Sequence, residues 1–213
     1  MVNDMKAETF FTGQEKEEIE AAIREVEKKT AGEVAVMVVD QSDSYPEAVI
    51  LGGVATGGMA ALITADMLLQ ASLWYFVPLA ALLSVLFGWI TDTIPALKRF
   101  FVPASRLEEQ VRERAVRSFY EKELYQTRDD TGVLFFISLL EHKVWVLADK
   151  GIYSRITQDE LQEYATGVAQ GIRNGAAAGA LCRAIRSVGQ VLAEHFPIKT
   201  DDTNELSNRV IIG

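Results

Sequence analysis

Apolar residues Ile19, Ala22, Ile23 and Val26 recur at helical spacing behind Thr12-Gly13-Gln14-Glu15. That tetrad is a capping box, in which a hydroxyl and a carboxylate satisfy each other's backbone N–H groups, so the pattern predicts a helix over 12–29. Ala31-Gly32 should close it, and EVAVMVV (33–39) then reads as a strand buried on both faces because its apolar run is nearly continuous. Further on, Ser105-Arg106-Leu107-Glu108 is a second capping box opening a helix to about residue 124, with Leu107, Val111 and Ala115 on one stripe. GVLFFISL (132–139) and KVWVLA (143–148) predict two strands joined at Glu141-His142 as an antiparallel hairpin. Thr157-Gln158-Asp159-Glu160 is a third capping box for a helix ending near Asn174-Gly175, and a last helix is expected over 177–195, before Pro197.

The middle of the chain follows a different pattern. AVILGGVATGGMAALITA (48–65) and ASLWYFVPLAALLSVLFGWI (71–90) contain no charged residue. A bilayer core about 30 Å thick needs around 20 apolar residues as helix, so each stretch is long enough to span it. Asp66-Met67-Leu68-Leu69-Gln70 is the expected turn, and Trp74, Tyr75, Phe76 and Trp89 stand where an aromatic belt is expected. Two spans put both flanks on one side. Lys98, Arg99 and Arg106 follow the second span while the turn has no Lys or Arg, so the positive-inside rule puts both termini and the polar mass in the cytoplasm. Gly53 and Gly57 have GxxxG spacing, which suits either a homo-oligomer face or close packing of the two spans on each other. Pro78 is expected to kink the second span.

The element order is α-β-two spans-α-β-β-α-α, and neither polar piece has enough strands for a sheet of its own. Both pieces must therefore meet. The expected fold class is α/β, a small mixed sheet flanked by helices and interrupted by a transmembrane helical hairpin. Residues 1–45 and 100–198 should form the split α/β domain, 46–97 the inserted hairpin, and 199–213 a flexible tail. The first thirty residues hold no apolar run suited to a signal peptide.

Composition sharpens this reading. Of 213 residues 24% are charged, yet residues 48–97 carry two charges, Asp66 and Asp92. The formal net charge of −9 supplies no basic footprint for nucleic acid. A single cysteine, Cys182, excludes an internal disulfide and fits a small core side chain. Asp129 and Asp130 precede a buried strand, Asp40 follows the first strand and Asp149 follows the second hairpin strand. Hard cations are held by several carboxylate and carbonyl oxygens, so these four acids are the metal candidates if the sheet gathers them. Arg128 and Lys150 are conceivable helpers to a phosphate. His142 falls in a turn and His195 at a helix end, and no HExxH, nucleophile elbow, P-loop or zinc cluster occurs.

KKTAGEVAVMVV, RAVRSFYEKELYQTRDDTGVLFFISLLEHKVWVLADKGI and EYATGVAQGIRNGAAAGALCRAIRSVGQVLAEHF together resemble the TPM domain family. The resemblance implies an α/β sandwich with helices on a small mixed sheet. It also implies similarity to acid phosphatases in some members, and binding of calcium (Ca2+) or another divalent cation. Many members carry a terminal span; the inserted hairpin here departs from that layout. Family members also have two glycines bracketing one residue after the second hairpin strand, where this chain has Asp149-Lys150-Gly151. Two functions are expected from these readings. The first is a non-catalytic domain held in membrane lipid that binds a protein partner under divalent-cation control. The alternative is a metal-dependent phosphatase acting on phosphomonoesters.

Overall fold

The computed structural model describes residues 6–68, 73–127, 130–198 and 208–213. In chain order the elements are α1 (Ala7–Phe10), α2 (Gly13–Glu27), β1 (Glu33–Val39), α3 (Pro46–Gly52), a π-helical turn (Gly53–Gly57), α4 (Gly58–Leu68), α5 (Leu73–Thr93), α6 (Pro95–Phe100) and α7 (Ala104–Glu121). There follow β2 (Gly132–Ser138), β3 (Lys143–Ala148), α8 (Lys150–Tyr153), α9 (Gln158–Arg173), α10 (Ala177–His195) and β4 (Ile211–Ile212). The chain divides into two compact units, Met1–Ser42 with Glu109–Gly213, and Asp43–Glu108.

The first unit is a mixed sheet in the order β3-β2-β1-β4. β1 runs parallel to β2, with Glu33 opposite Gly132 and Val39 opposite Ser138. β3 is antiparallel to β2, and β4 is parallel to β1 beside Met37 and Val38. Every residue of β1 and β2 is buried, as their unbroken apolar runs require, because helices cover both faces. On one face Ile19, Ile23 and Val26 of α2 pack with Val34, Val36, Phe135 and Ile137, and with Leu161 and Val168 of α9 and Leu181, Ile185 and Val188 of α10. On the other, Val111, Ala115 and Phe119 of α7 cover Ala35, Met37, Leu134 and Phe136. Burial drives this packing at roughly 25 cal/mol per Å² of apolar surface.

Local chemistry sets the element ends. Thr12 and Glu15 form the expected capping box of α2, and Thr157 and Glu160 that of α9. Ser105 does not cap α7, which begins one residue earlier; Leu107 N–H donates to Pro103 O at 3.1 Å, so Ser105 lies inside the first turn. Gly175 closes α9 at φ +71°, a conformation glycine adopts without strain. Gly171 lets α10 approach, because a Cβ there would lie 2.1 Å from Ala180 Cβ. Cys182 is buried in this core, and burial pushes its thiol pKa up.

Side chains guard both borders of the sheet. Glu27 accepts from Val34 N–H at 3.3 Å beside β1, where Gly213 N–H also donates to Val38 O at 3.1 Å. Beside β3, the amides of Gln158 and Gln162 donate to Val146 O at 3.1 Å and Val144 O at 3.5 Å.

The second unit is a helical hairpin. Pro46–Met67 and Trp74–Thr93 are long and apolar enough to cross a membrane, with mean hydropathies of 1.8 and 1.7. Only 33% and 11% of their most apolar windows are buried, whereas a core helix of a water-filled surrounding would be mostly covered. Trp74, Leu82, Val85 and Trp89 are all exposed. Thr64, Thr91 and Thr93 donate their hydroxyls to carbonyls of their own helices, so these three donors need no water. Gly53 and Gly57 are buried against the second helix: a Cβ would meet Ser84 O at 2.5 Å from Gly53 and Ser84 N at 2.5 Å from Gly57. Of the two readings of this GxxxG pair, close packing of the spans is the one the hairpin uses. Residues 69 and 70 of the expected turn lie outside the described residues, as do 199–207 of the expected tail.

Candidate functional site

Two acids from the sequence reading meet at one end of the sheet. Val133 pairs with Ala148, so the loop before β2 lies beside the loop after β3. Asp149 N–H donates to Gly132 O at 2.9 Å and Gly151 N–H donates to Asp130 O at 3.1 Å. Gly132 itself is pressed against Leu124 O, 2.2 Å from where a Cβ would stand. Asp130 has φ +56°, in the left-handed region that Asp tolerates better than most residues. Thr131 fixes the loop from behind: its N–H donates to Thr127 Oγ1 and its hydroxyl donates to Ala31 O, both at 2.9 Å.

The Asp149 carboxylate has two unequal oxygens. Oδ1 accepts from Lys150 N–H at 2.7 Å, which caps α8. Oδ2 is shielded from solvent and accepts no hydrogen bond. The exposed Lys150 ammonium reaches Asp130 Oδ2 at 3.2 Å. Asp129 and Arg128 lie outside the described residues, and among the described residues no group of three or more His, Cys, Asp and Glu is close enough to hold a metal. Asp149 takes φ −82° and ψ 168°, so this position, where the resemblance implies a glycine, needs no glycine conformation.

Asp40 is not part of this cluster. β1 and β2 are parallel, so the residue after β1 lies at the end opposite Asp130, about 20 Å away along a seven-residue strand. Its Oδ1 accepts instead from Ala7 N–H at 2.6 Å and fixes the start of α1. A convergence of all four acids on one ion therefore does not occur.

That opposite end holds a cluster the sequence reading missed. Glu141, expected as a turn residue, is 1% exposed. Its carboxylate accepts from Ser42 N–H at 2.8 Å and from the Ser138 hydroxyl, and the Ser42 and Ser138 hydroxyls are 2.8 Å apart. Residues 96 and 99 positions apart make these contacts, so spacing could not reveal them. The available signal was an acid directly after the apolar run ISLL. His142 completes the turn at φ +53° and is exposed, while His195 ends α10.

A third carboxylate is perturbed for a structural reason. Glu27 is drawn between β1 and Asn208, whose amide donates to its Oε2. Burial, followed by the nearby Glu33 carboxylate, pushes the Glu27 pKa up to about 7.

The TPM domain model matches residues 98–191, which include α7, β2, β3, α8, α9 and most of α10, with the Asp130–Asp149 loops in the middle. Over those residues the chain is similar to the TPM domain family. The match leaves out α2 and β1, the strand that pairs with β2. The BA42 protein of the psychrophilic bacterium Bizionia argentinensis, solved by NMR, is similar in structure with a TM-score of 0.60 over 96% of each chain. At 20% identity that likeness establishes the fold alone. No curated protein matches the sequence.

Proposed function

We propose that this TPM-like domain is a non-catalytic, membrane-anchored binding module for a protein partner, controlled by a divalent cation at the Asp130–Asp149 loops. The observation that carries the cation site is the donorless, shielded Oδ2 of Asp149. An ionised oxygen removed from water without a partner is costly, and a bound cation relieves that cost. Asp149 and Asp130 supply two carboxylates, the kind of oxygen ligand a hard ion takes. The ion would neutralise the loop acids and lock two loops already joined by backbone hydrogen bonds. Lys150 competes for Asp130, so it tunes the affinity. Two long apolar helices with exposed faces support the anchor, and the Lys98, Arg99 and Arg106 flank supports a cytoplasmic face.

Calcium titration by calorimetry on the full chain in nanodiscs tests this reading. Saturable binding is expected, weakened at least tenfold in Asp149→Asn and tightened in Lys150→Ala. Unchanged affinity in Asp149→Asn would overturn the site. Hydrolysis of p-nitrophenyl phosphate that is lost with chelator and in Asp130→Ala would overturn the non-catalytic reading in favour of a phosphohydrolase.

A further inference from the structure

The chain bends after the second apolar helix. Ile94 is extended at φ −107° and ψ 105°, and Pro95 starts α6 at the first helical position. The new helix packs against both α5 and α3, at the end of the hairpin where the first long helix begins and the second stops. Gly52 makes room beneath it, since a Cβ there would lie 2.6 Å from Thr91 Oγ1 and 3.1 Å from a ring carbon of Phe101.

The polarity of α6 is inverted. Lys98, a side chain that ordinarily stands in water, is 6% exposed, and its ammonium meets Asp92 Oδ1 at 2.7 Å. Arg99 is half-buried. Ile94, Pro95, Ala96, Leu97 and Phe100 face outward, Phe100 at 79% exposure. Water selects the reverse, because covering apolar surface is favourable and withdrawing an ammonium from water is costly. An apolar surrounding selects the arrangement present.

We infer that α6 lies in the boundary between the headgroups and acyl chains of a phospholipid bilayer, with Leu97 and Phe100 in the acyl chains and Lys98 turned back onto Asp92. The inference rests on the hairpin being the membrane anchor. Continuity names the occupant: the outward residues of α6 extend the exposed apolar run of Val85, Leu86 and Trp89 on α5. Apolar side chains of a helix at this boundary reach about 5–10 Å below the headgroups. Charge sets the lipid class. Asp92 neutralises Lys98, and Arg106 stands 3.4 Å from both Asp43 and Glu47, so insertion draws on apolar burial and proceeds in lipid without net charge.

Spin labels at Leu97→Cys and Phe100→Cys, in the full chain carrying Cys182→Ser and reconstituted in phosphatidylcholine liposomes, test this by collision with oxygen and with a water-soluble nickel chelate. Leu82→Cys, exposed in the middle of α5, and Glu17→Cys, exposed on α2, are the lipid and water references. The oxygen-to-nickel ratio at Leu97 and Phe100 should be at least threefold above that at Glu17. Both positions are exposed, so the labels leave the Lys98–Asp92 contact in place, and each reads independently of the other. Water-like ratios at both, with a lipid-like ratio at Leu82, would overturn the inference and leave the anchor standing. A water-like ratio at Leu82 as well would overturn both. Spin–spin broadening between Phe100 labels on different chains would assign the apolar face to a second copy and also overturn the inference.

Discussion

Burial and the adjacent Glu33 hold Glu27 near pH 7, against an ordinary value of 4.5, and the consequence has a definite sign. Between about 4.5 and 7 the folded chain keeps a proton that the unfolded chain releases. Folding stability therefore falls as pH rises through that window, and levels off above it. Glu27→Gln mimics the protonated form, so its melting temperature should stay level from pH 4.5 to 7 where the parent's declines. Thermal unfolding across that range checks this. Cys182 belongs to the same scale: buried, with its thiol pKa raised by burial, it should resist maleimide in the native protein and react on unfolding.

At the level of elements, two helix contacts rest on missing side chains. Gly171→Ala places a methyl 2.1 Å from Ala180 Cβ between α9 and α10, and overpacking of this kind costs about 1–3 kcal/mol, read as a lower denaturant midpoint. In the hairpin, Gly57→Ala collides with Ser84 backbone at 2.5 Å while Gly58→Ala meets nothing within 4 Å. The first should lower the thermal stability of the detergent-solubilised protein and the second leave it unchanged. The long elements were legible in the sequence because their signals are redundant. Val34 to Val39 is apolar without interruption, and Thr12 with Glu15 and Thr157 with Glu160 mark helix starts with two hydrogen bonds each. The four-residue α1 and α8 and the two-residue β4 were not, since nothing so short completes a period. The acidic site was half legible. Asp130 and Asp149 flank a hairpin that the sequence predicts. Asp40 misled because strand direction between β1 and β2 depends on a crossover that spacing does not encode.

Across the whole molecule, the membrane reading makes a topological prediction. Arg99→Cys, with Cys182 buried, gives one reactive site just after the second span. An impermeant maleimide should label it only after cells are permeabilised; labelling of intact cells would reverse the assigned side. The borders of the sheet carry a further consequence. With the Glu27 carboxylate and β4 on one rim and Gln158 and Gln162 on the other, the domain offers little open backbone along which a foreign extended peptide can zip. Deleting residues 208–213 strips that protection from Met37 and Val38, and the shortened protein should accumulate thioflavin-positive fibrils that the intact chain does not form.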